Sequence, residues 1–398
     1  MKILHIATDS KFIDHAFPVF EKVFPNSNDV AVFTLRMPIK YIKLKPRYIE
    51  EKRRVHFSRK PKFSRDFYEK YDLVVFHSLG PLTYPELKNI SNDVATIWLG
   101  WGFDYYADFL SSPPMLLEKT GTLNVGVNRD YFKSMAARFV RKVVETFQVR
   151  TEKVRAVERI SVFSPVLPEE YKMVKDSRGW NSFPEYASWN YGTLEDNLIK
   201  GFEEEAVVGD GILVGNSATL TGNHAEAFDL LRKLQVKSRR VVVPLSYGDA
   251  KLTNKLINIG GECFGADFEP LIDFMPIEDY VDIIKNCGYV IMNHVRQQAV
   301  GNIVIMLYLG ARVFVRRENP VYNFFTKSGV MLSTIQELEA NSELLHQPLT
   351  QSERDSNRAI VSEYWSRERA YERTQELVEK ALLVKSARRP EAFDEPYQ

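Results

Sequence analysis

Short apolar runs alternate with amphipathic stretches along most of the chain. The runs 3–7, 30–35, 73–77, 95–99 and 160–163 are four to six residues long and largely apolar, the length of strands buried on both faces. Between them, 15–24 and 131–144 repeat apolar residues at helical spacing. That rhythm predicts a doubly wound α/β sheet. It stops at Pro165 and Pro168, and the stretch 171–205 is polar and aromatic, with Trp180, Trp189, Asn190, Tyr191 and Gly192. We read it as a linker. A second series follows, with strands expected at 211–214, 240–244, 271–274, 289–292 and 312–315. Helices are expected at 223–234, 250–259, 277–285 and 303–309. The tail 355–384 has the spacing of one long amphipathic helix. The expected domains are 1–168, a linker at 169–207, 208–352, and a helix and tail at 353–398. Two α/β units joined in this way predict a ligand cleft between them.

Composition narrows the class. Of 398 residues, 44% are hydrophobic and 26% charged, as in soluble globular chains. Cys263 and Cys287 have no metal-ligand spacing and no disulfide framework, which fits a reducing compartment. The start of the chain enters a strand at once and meets Asp9 and Asp14, so no signal peptide is expected. No apolar run reaches the length of a membrane span. The charge is unevenly spread: up to Ile160 there are 27 Lys and Arg against 18 Asp and Glu, and beyond it 26 against 34. A basic first half predicts an anionic partner. Its densest run is Lys40, Lys43, Lys45, Arg47, Lys52, Arg53, Arg54, Arg59, Lys60 and Lys62, interleaved with Tyr41, Ile42, Leu44, Tyr48, Val55 and Phe57. This pattern suits an anionic membrane surface, and a solvated charged face is the plainer alternative. With no recognition module and an acidic second half, no nucleic acid partner is expected.

The chemistry concentrates in 288–320. The order there is strand, polar loop, helix, strand, acid, and in an open α/β sheet it puts the loop at the carboxyl edge, where helix N–H groups attract anions. Arg296, Gln297, Gln298, Gly301 and Asn302 suit a diphosphate, and Glu318 with Asn319, one strand later, suits a ribose. A second loop, with Gly215, Asn216, Ser217, Thr221, Gly222, Asn223 and His224, has the same strand-to-helix setting. Helix capping by Thr221 or Asn223 is its plainer explanation. Neither a dinucleotide fingerprint after the first strand nor a P-loop is present. In the first half, Asp104 lies among Trp101, Tyr105 and Tyr106, rings suited to sugar faces. Asp104 is the candidate base for an acceptor hydroxyl, with His77 and Asp9, at other strand ends, behind it. No paired acid beside a strand offers a metal site, so neither metal nor cofactor is expected; charge on a departing diphosphate would fall to Arg296, helix N–H groups and His294.

At these residues the chain resembles glycosyltransferase family 56, enzymes that transfer 4-acetamido-4,6-dideoxygalactose from a dTDP donor to a lipid-linked disaccharide in enterobacterial common antigen synthesis. The likeness is carried by Ile212-Leu213-Val214-Gly215-Asn216-Ser217 with Asn223-His224, by Val241-Val242-Val243-Pro244-Leu245-Ser246-Tyr247, by Arg296-Gln297-Gln298 with Gly301, and by Arg317-Glu318-Asn319-Pro320. In the first half it rests on Trp101-Gly102-Phe103-Asp104-Tyr105-Tyr106 and Phe76-His77. The resemblance implies a GT-B fold of two Rossmann-like domains, with the C-terminal helix packing back on the N-terminal domain. It also implies a nucleotide-sugar donor on the C-terminal domain, no metal, and peripheral attachment to the cytoplasmic face of the inner membrane. The expected activity is transfer of a deoxy-amino hexose from a dTDP-type donor to a lipid-linked glycan. Tyr247 and the Pro244 turn are expected to line the base pocket, and Trp101, Tyr105 and Tyr106 to meet the acceptor. A GT-B enzyme with a soluble or protein acceptor, and a non-catalytic two-lobed sugar or nucleotide binder, are the alternatives.

Overall fold

The computed structural model describes residues 1–35, 37–51, 60–110, 114–123 and 149–387. The backbone forms two compact units: one drawn from Met1–Leu110, Phe139–Thr193 and Arg367–Gln398, the other from Ser111–Arg138 and Leu194–Ser366. The segment read as a linker is shared between them at Thr193 and Leu194. The helix anticipated at 131–144 lies outside the described residues, as do Lys52, Arg53, Arg54 and Arg59.

The first unit is a parallel sheet of seven strands: β1 (Ile3–Thr8), β2 (Asn28–Thr34), β3 (Tyr48–Glu51), β4 (Leu73–His77), β5 (Ala95–Leu99), β6 (Val162–Ser164) and β7 (Glu185–Tyr186), in the order β3-β2-β1-β4-β5-β6-β7. The order reverses between β1 and β4, so the loops leaving these strands diverge at that point of the carboxyl edge. Helix α1 (Phe12–Val23) puts Ala16 and Phe20 into a core with Ile3, Leu73, Val75 and Ile97. Helix α2 (Phe103–Phe109) follows β5.

The second unit is a parallel sheet of six strands: β8 (Ile212–Val214), β9 (Val241–Pro244), β10 (Phe268–Leu271), β11 (Tyr289–Met292), β12 (Arg312–Val315) and β13 (Ser333–Thr334), in the order β10-β9-β8-β11-β12-β13. Its helices include α3 (His224–Lys233), α4 (Ala250–Phe264), α5 (Ile277–Ile284), α6 (Val300–Leu309), α7 (Pro320–Lys327) and α8 (Gln351–Tyr364). Residues 303–309 of α6 are all buried, because it is covered by both β12 and α8.

Two expectations need correction. Strand β10 ends at Leu271, three residues before Phe274, because Pro270 and Leu271 complete its ladder with Val243 and Pro244. The helix read at 355–384 is two helices, α8 and α9 (Arg367–Ala387). They part at Trp365, whose buried ring packs on Phe325 and whose carbonyl accepts the Leu194 N–H at 2.7 Å. Helix α9 then returns to the first unit, where Leu377, Val378 and Ala381 join the core beside α1 and β5. The expected docking of the C-terminal helix on the N-terminal unit is therefore met.

Candidate functional site

In the second unit the strand order reverses between β8 and β11, and the two loops singled out above leave these neighbouring strands. Gln298 ties them together. Its Nε2 donates to Asn216 Oδ1 at 3.2 Å and to Thr219 Oγ1 at 3.0 Å, and its Oε1 accepts from Thr221 Oγ1 at 2.7 Å. Behind this tie, Asn223 Nδ2 donates to the Asn293 carbonyl at 3.2 Å, and Asn293 Nδ2 returns a bond to the Asn223 carbonyl at 2.9 Å. Gly215, at φ +68°, is pressed against the His224 ring, so a Cβ there would collide with it.

Both loops end at a helix whose N-terminus has no side-chain cap. Asn223 before α3 and Ala299 before α6 are both left-handed, with φ of 49° and 62°. The capping explanation for the loop after β8 thus fails: Thr221 bonds Gln298, and the Asn223 side chain reaches Leu117 N, Met115 O and Asn293 O. Uncapped helix N–H groups carry partial positive charge. Gly301 and Asn302 lie in the first turn of α6, where a Cβ on Gly301 would meet only Leu198, at ordinary contact distance.

The remaining predicted residues take different places. Arg296 is half-buried, with Nη1 donating to the Gln297 carbonyl at 2.8 Å, and Gln297 is buried. Ser217 is buried, its hydroxyl within 3.4 Å of Thr219 Oγ1. Asn319 is a brace: Nδ2 donates to the His294 and Arg296 carbonyls at 2.9 Å each, while Oδ1 caps α7 at Val321 N. Glu318 is exposed and accepts from Arg316 Nε at 2.5 Å and Gln336 Nε2 at 2.8 Å. Against the desolvation of its partial burial, these partners hold its carboxyl below the usual range.

Tyr247 lies past the end of β9 and Glu318 past the end of β12, on opposite flanks of the two phosphate-suited loops. Three strand spacings separate β9 from β12, roughly 14 Å. In a nucleotide the ribose joins the base to the diphosphate, so a ribose at Glu318 carries its base away from Tyr247. A base at Tyr247 and a ribose at Glu318 would have to bridge that span, so the two placements compete within one nucleotide.

His294 was noted in the sequence only as an auxiliary group. It is fully buried, and neither ring nitrogen has a hydrogen-bond partner. Burial above all, then His224 and the Arg296 cation, push its pKa down to about 3. At neutral pH it is an uncharged ring behind the loop after β11.

In the first unit, Asp104 is 2% exposed and already accepts three N–H bonds: Trp101 N at 2.9 Å, Leu79 N at 2.9 Å and the Trp98 indole at 2.8 Å. It ties the loop after β4 to the loop after β5, and a carboxylate so enclosed is poorly placed to meet an acceptor. His77 is buried in a chain whose direction is set at one end. Asn28 Nδ2 donates to Glu21 and to the Phe24 carbonyl, so Asn28 Oδ1 accepts from His5 Nε2 at 3.1 Å. His5 Nδ1 then accepts from His77 Nε2 at 2.9 Å, and the Tyr191 hydroxyl donates to His77 Nδ1 at 2.8 Å. Burial and the neighbouring His5 hold His77 well below the usual histidine pKa. Its one basic nitrogen is occupied.

Asp9 differs. It is partly exposed just past β1, and its oxygens accept the Lys40 and Tyr41 backbone N–H groups at 2.8 and 2.9 Å. Asp14 clamps Lys43 N and Leu44 N in the same way, at 2.9 Å each. The loop so held turns Ile39, Ile42 and Leu44 onto the core and leaves Met37, Lys40, Tyr41, Lys43 and Lys45 exposed.

The ring expectation is corrected in part. Tyr105 and Tyr106 are core residues, with the Tyr105 hydroxyl donating to Glu170 at 2.7 Å. Trp101 is half-buried between Phe12 and Phe103, which are 38% and 52% exposed. Those two rings were missed. Phe12 opens a helix directly after the Asp9 loop, which was the available signal.

Residues 195–355 match the sequence model of a family described as 4-alpha-L-fucosyltransferase glycosyl transferase group 56. This segment belongs to glycosyltransferase group 56. It lies wholly within the second unit and contains every predicted donor-binding residue. Solved structures agree in fold with the chain that carries this group 56 segment. A glycosyltransferase from Rickettsia africae superposes with a TM-score of 0.58 at 10% identity, covering 96% of this chain and 98% of that one. Anabaena HepE, solved with UDP and glucose, gives 0.57 at 11%, covering 95% and 99%. S. aureus MnaA, solved with UDP, gives 0.51 at 11%, covering 96% and 98%. At such identities the likeness is one of fold, the GT-B arrangement of two parallel α/β domains. Among the described residues, no helix is long and apolar enough to cross a membrane.

Proposed function

We propose that the chain transfers a deoxy-amino hexose, or a similar hexose, from a dTDP-type nucleotide sugar to a lipid-linked glycan at an anionic membrane face, without a metal. The observation that carries this reading is the Gln298 tie, which sets two uncapped helix N-termini and Arg296 around one switch point. Such a site suits a diphosphate, and its N–H groups and guanidinium can meet the charge that grows on it as it leaves. The dTDP donor and the lipid-linked acceptor are carried over from the family resemblance. In support of a membrane face, the clamped loop exposes Lys40, Lys43 and Lys45 around Tyr41 and Met37.

In the reaction, an acceptor hydroxyl attacks the anomeric carbon, the new glycosidic C–O bond forms, and the bond to the diphosphate oxygen breaks. The acceptor proton passes to a base. Asp9 is our assignment, because it alone of the three candidates combines a strand-end position with solvent access. The glycosyl group leaves on the acceptor and the nucleoside diphosphate departs as an anion, so atoms and charge balance.

The test is calorimetric titration of wild type and Arg296→Ala with dTDP, UDP and GDP, in magnesium and in EDTA. We expect EDTA-insensitive binding of dTDP that weakens about tenfold in the variant, or about 1.4 kcal/mol. UDP in place of dTDP would change the donor class, and no nucleotide binding would sink the reading.

A further inference from the structure

Strand order limits how a nucleotide sugar can lie along the carboxyl edge of the second sheet. The diphosphate-suited loops belong to the central strands β8 and β11, with β12 on one flank and β9 and β10 on the other. A ribose at Glu318 sends its base to the β12 flank. The opposite flank is then left for whatever lies beyond the diphosphate, which in a nucleotide sugar is the group to be transferred.

Two bare rings stand on that opposite flank. Pro244 and Leu271 are registered partners at the ends of β9 and β10. Tyr247 and Phe274 each follow three residues later, and they are 75% and 90% exposed. The loop bearing Tyr247 is joined to the loop after β8: Ala218 N donates to the Tyr247 carbonyl at 2.7 Å, and Asp249 N to the Ala218 carbonyl at 2.9 Å. Gly248, at φ +128°, lies so close that a Cβ would strike the Ala218 carbonyl. Tyr247 is thus anchored beside Ser217, at the rim of the diphosphate loops. Ile272, half exposed, adds apolar surface next to Phe274.

Exposed aromatic faces cost free energy in water and are suited to the C–H faces of a pyranose and to a methyl substituent, whereas a diphosphate requires donors and charge. We propose that Tyr247 and Phe274 form the subsite for the glycosyl group of the donor. This rests on the proposed function and deepens it by dividing the donor between two flanks: nucleoside toward β12, sugar toward β9 and β10.

The test compares dTDP and UDP with dTDP-glucose and UDP-glucose in calorimetric titrations of wild type, Tyr247→Ala, Phe274→Ala, the double variant and Glu318→Gln. The ring variants should bind the bare diphosphates as wild type does and lose about tenfold on the sugar nucleotides. Glu318→Gln should weaken both by the same factor. An equal loss on bare diphosphates in Tyr247→Ala would return the base to this flank and overturn the proposal. Wild-type affinity of the ring variants for every probe would also overturn it, leaving the functional reading intact. A wild-type protein that bound no probe would instead defeat the functional reading itself.

Discussion

Gln298 Nε2 donates to Thr219 Oγ1 at 3.0 Å, joining the loop after β11 to the loop after β8. With the Asn216 and Thr221 bonds, one side chain holds two helix N-termini in register. Each such bond contributes about 1 kcal/mol. Gln298→Ala should therefore raise the Kd of a nucleoside diphosphate about tenfold. Unchanged titrations would mean that the loops keep their register without the tie.

Asp9 and Asp14 offer a built-in control, since both clamp the same loop through two backbone N–H groups. Asp9→Asn should reduce turnover at least a hundredfold while nucleotide Kd stays constant, as loss of a general base does. Asp14→Asn should keep turnover within a few-fold of wild type. Similar losses in both would reassign Asp9 to holding the loop.

Asp104 should behave as a structural anion. Bonds to a charged group are worth about 1.5–3 kcal/mol each, and three converge on this carboxylate. Asp104→Asn should destabilise the first unit by about 3 kcal/mol in urea unfolding, with activity per folded molecule falling less than tenfold. A stable variant with turnover abolished would restore Asp104 as the base.

Acid should loosen the fold through its buried histidines. Burial pushes His5 and His224 down to about 4 and His294 to about 3, and holds His77 well below its ordinary value. The unfolded chain titrates near pH 6.5. Between the folded and unfolded values the unfolded state binds more protons, so stability is full above about pH 6.5 and declines as pH falls through that window. The slope is at most about 1.4 kcal/mol per pH unit for each histidine. Urea midpoints followed by tryptophan fluorescence should drop from pH 7 to pH 5, and less steeply in His294→Gln. A flat midpoint over that range would contradict the burial.

Much of the fold was legible because buried parallel strands are nearly continuous apolar runs, and β4, β5, β11 and β12 lie where their runs predict. The edge strands β3, β7 and β13 span only two to four residues, too few for a period to register. Phe274 read as strand because it is apolar, but β10 ends where its pairing with β9 ends. The two phosphate-suited loops were visible through the strand-to-helix context of Gln298 and Gly215. The enclosure of Asp104 and His77 depends on contacts distant in sequence: Leu79, which joins the nearby Trp98 and Trp101 on Asp104, is 25 residues away, and Tyr191 is 114 from His77. Local spacing carries no trace of such enclosure.

Helix α9 sets the order in which this polypeptide can mature. Leu377, Val378 and Ala381 complete a core begun by Ile3, whereas the second unit needs nothing beyond Ser366. During synthesis the second unit can therefore close while the first still shows an uncovered apolar face, the reverse of the usual N-terminal-first sequence. The nascent first sheet is the stage at which aggregation threatens and a chaperone would engage.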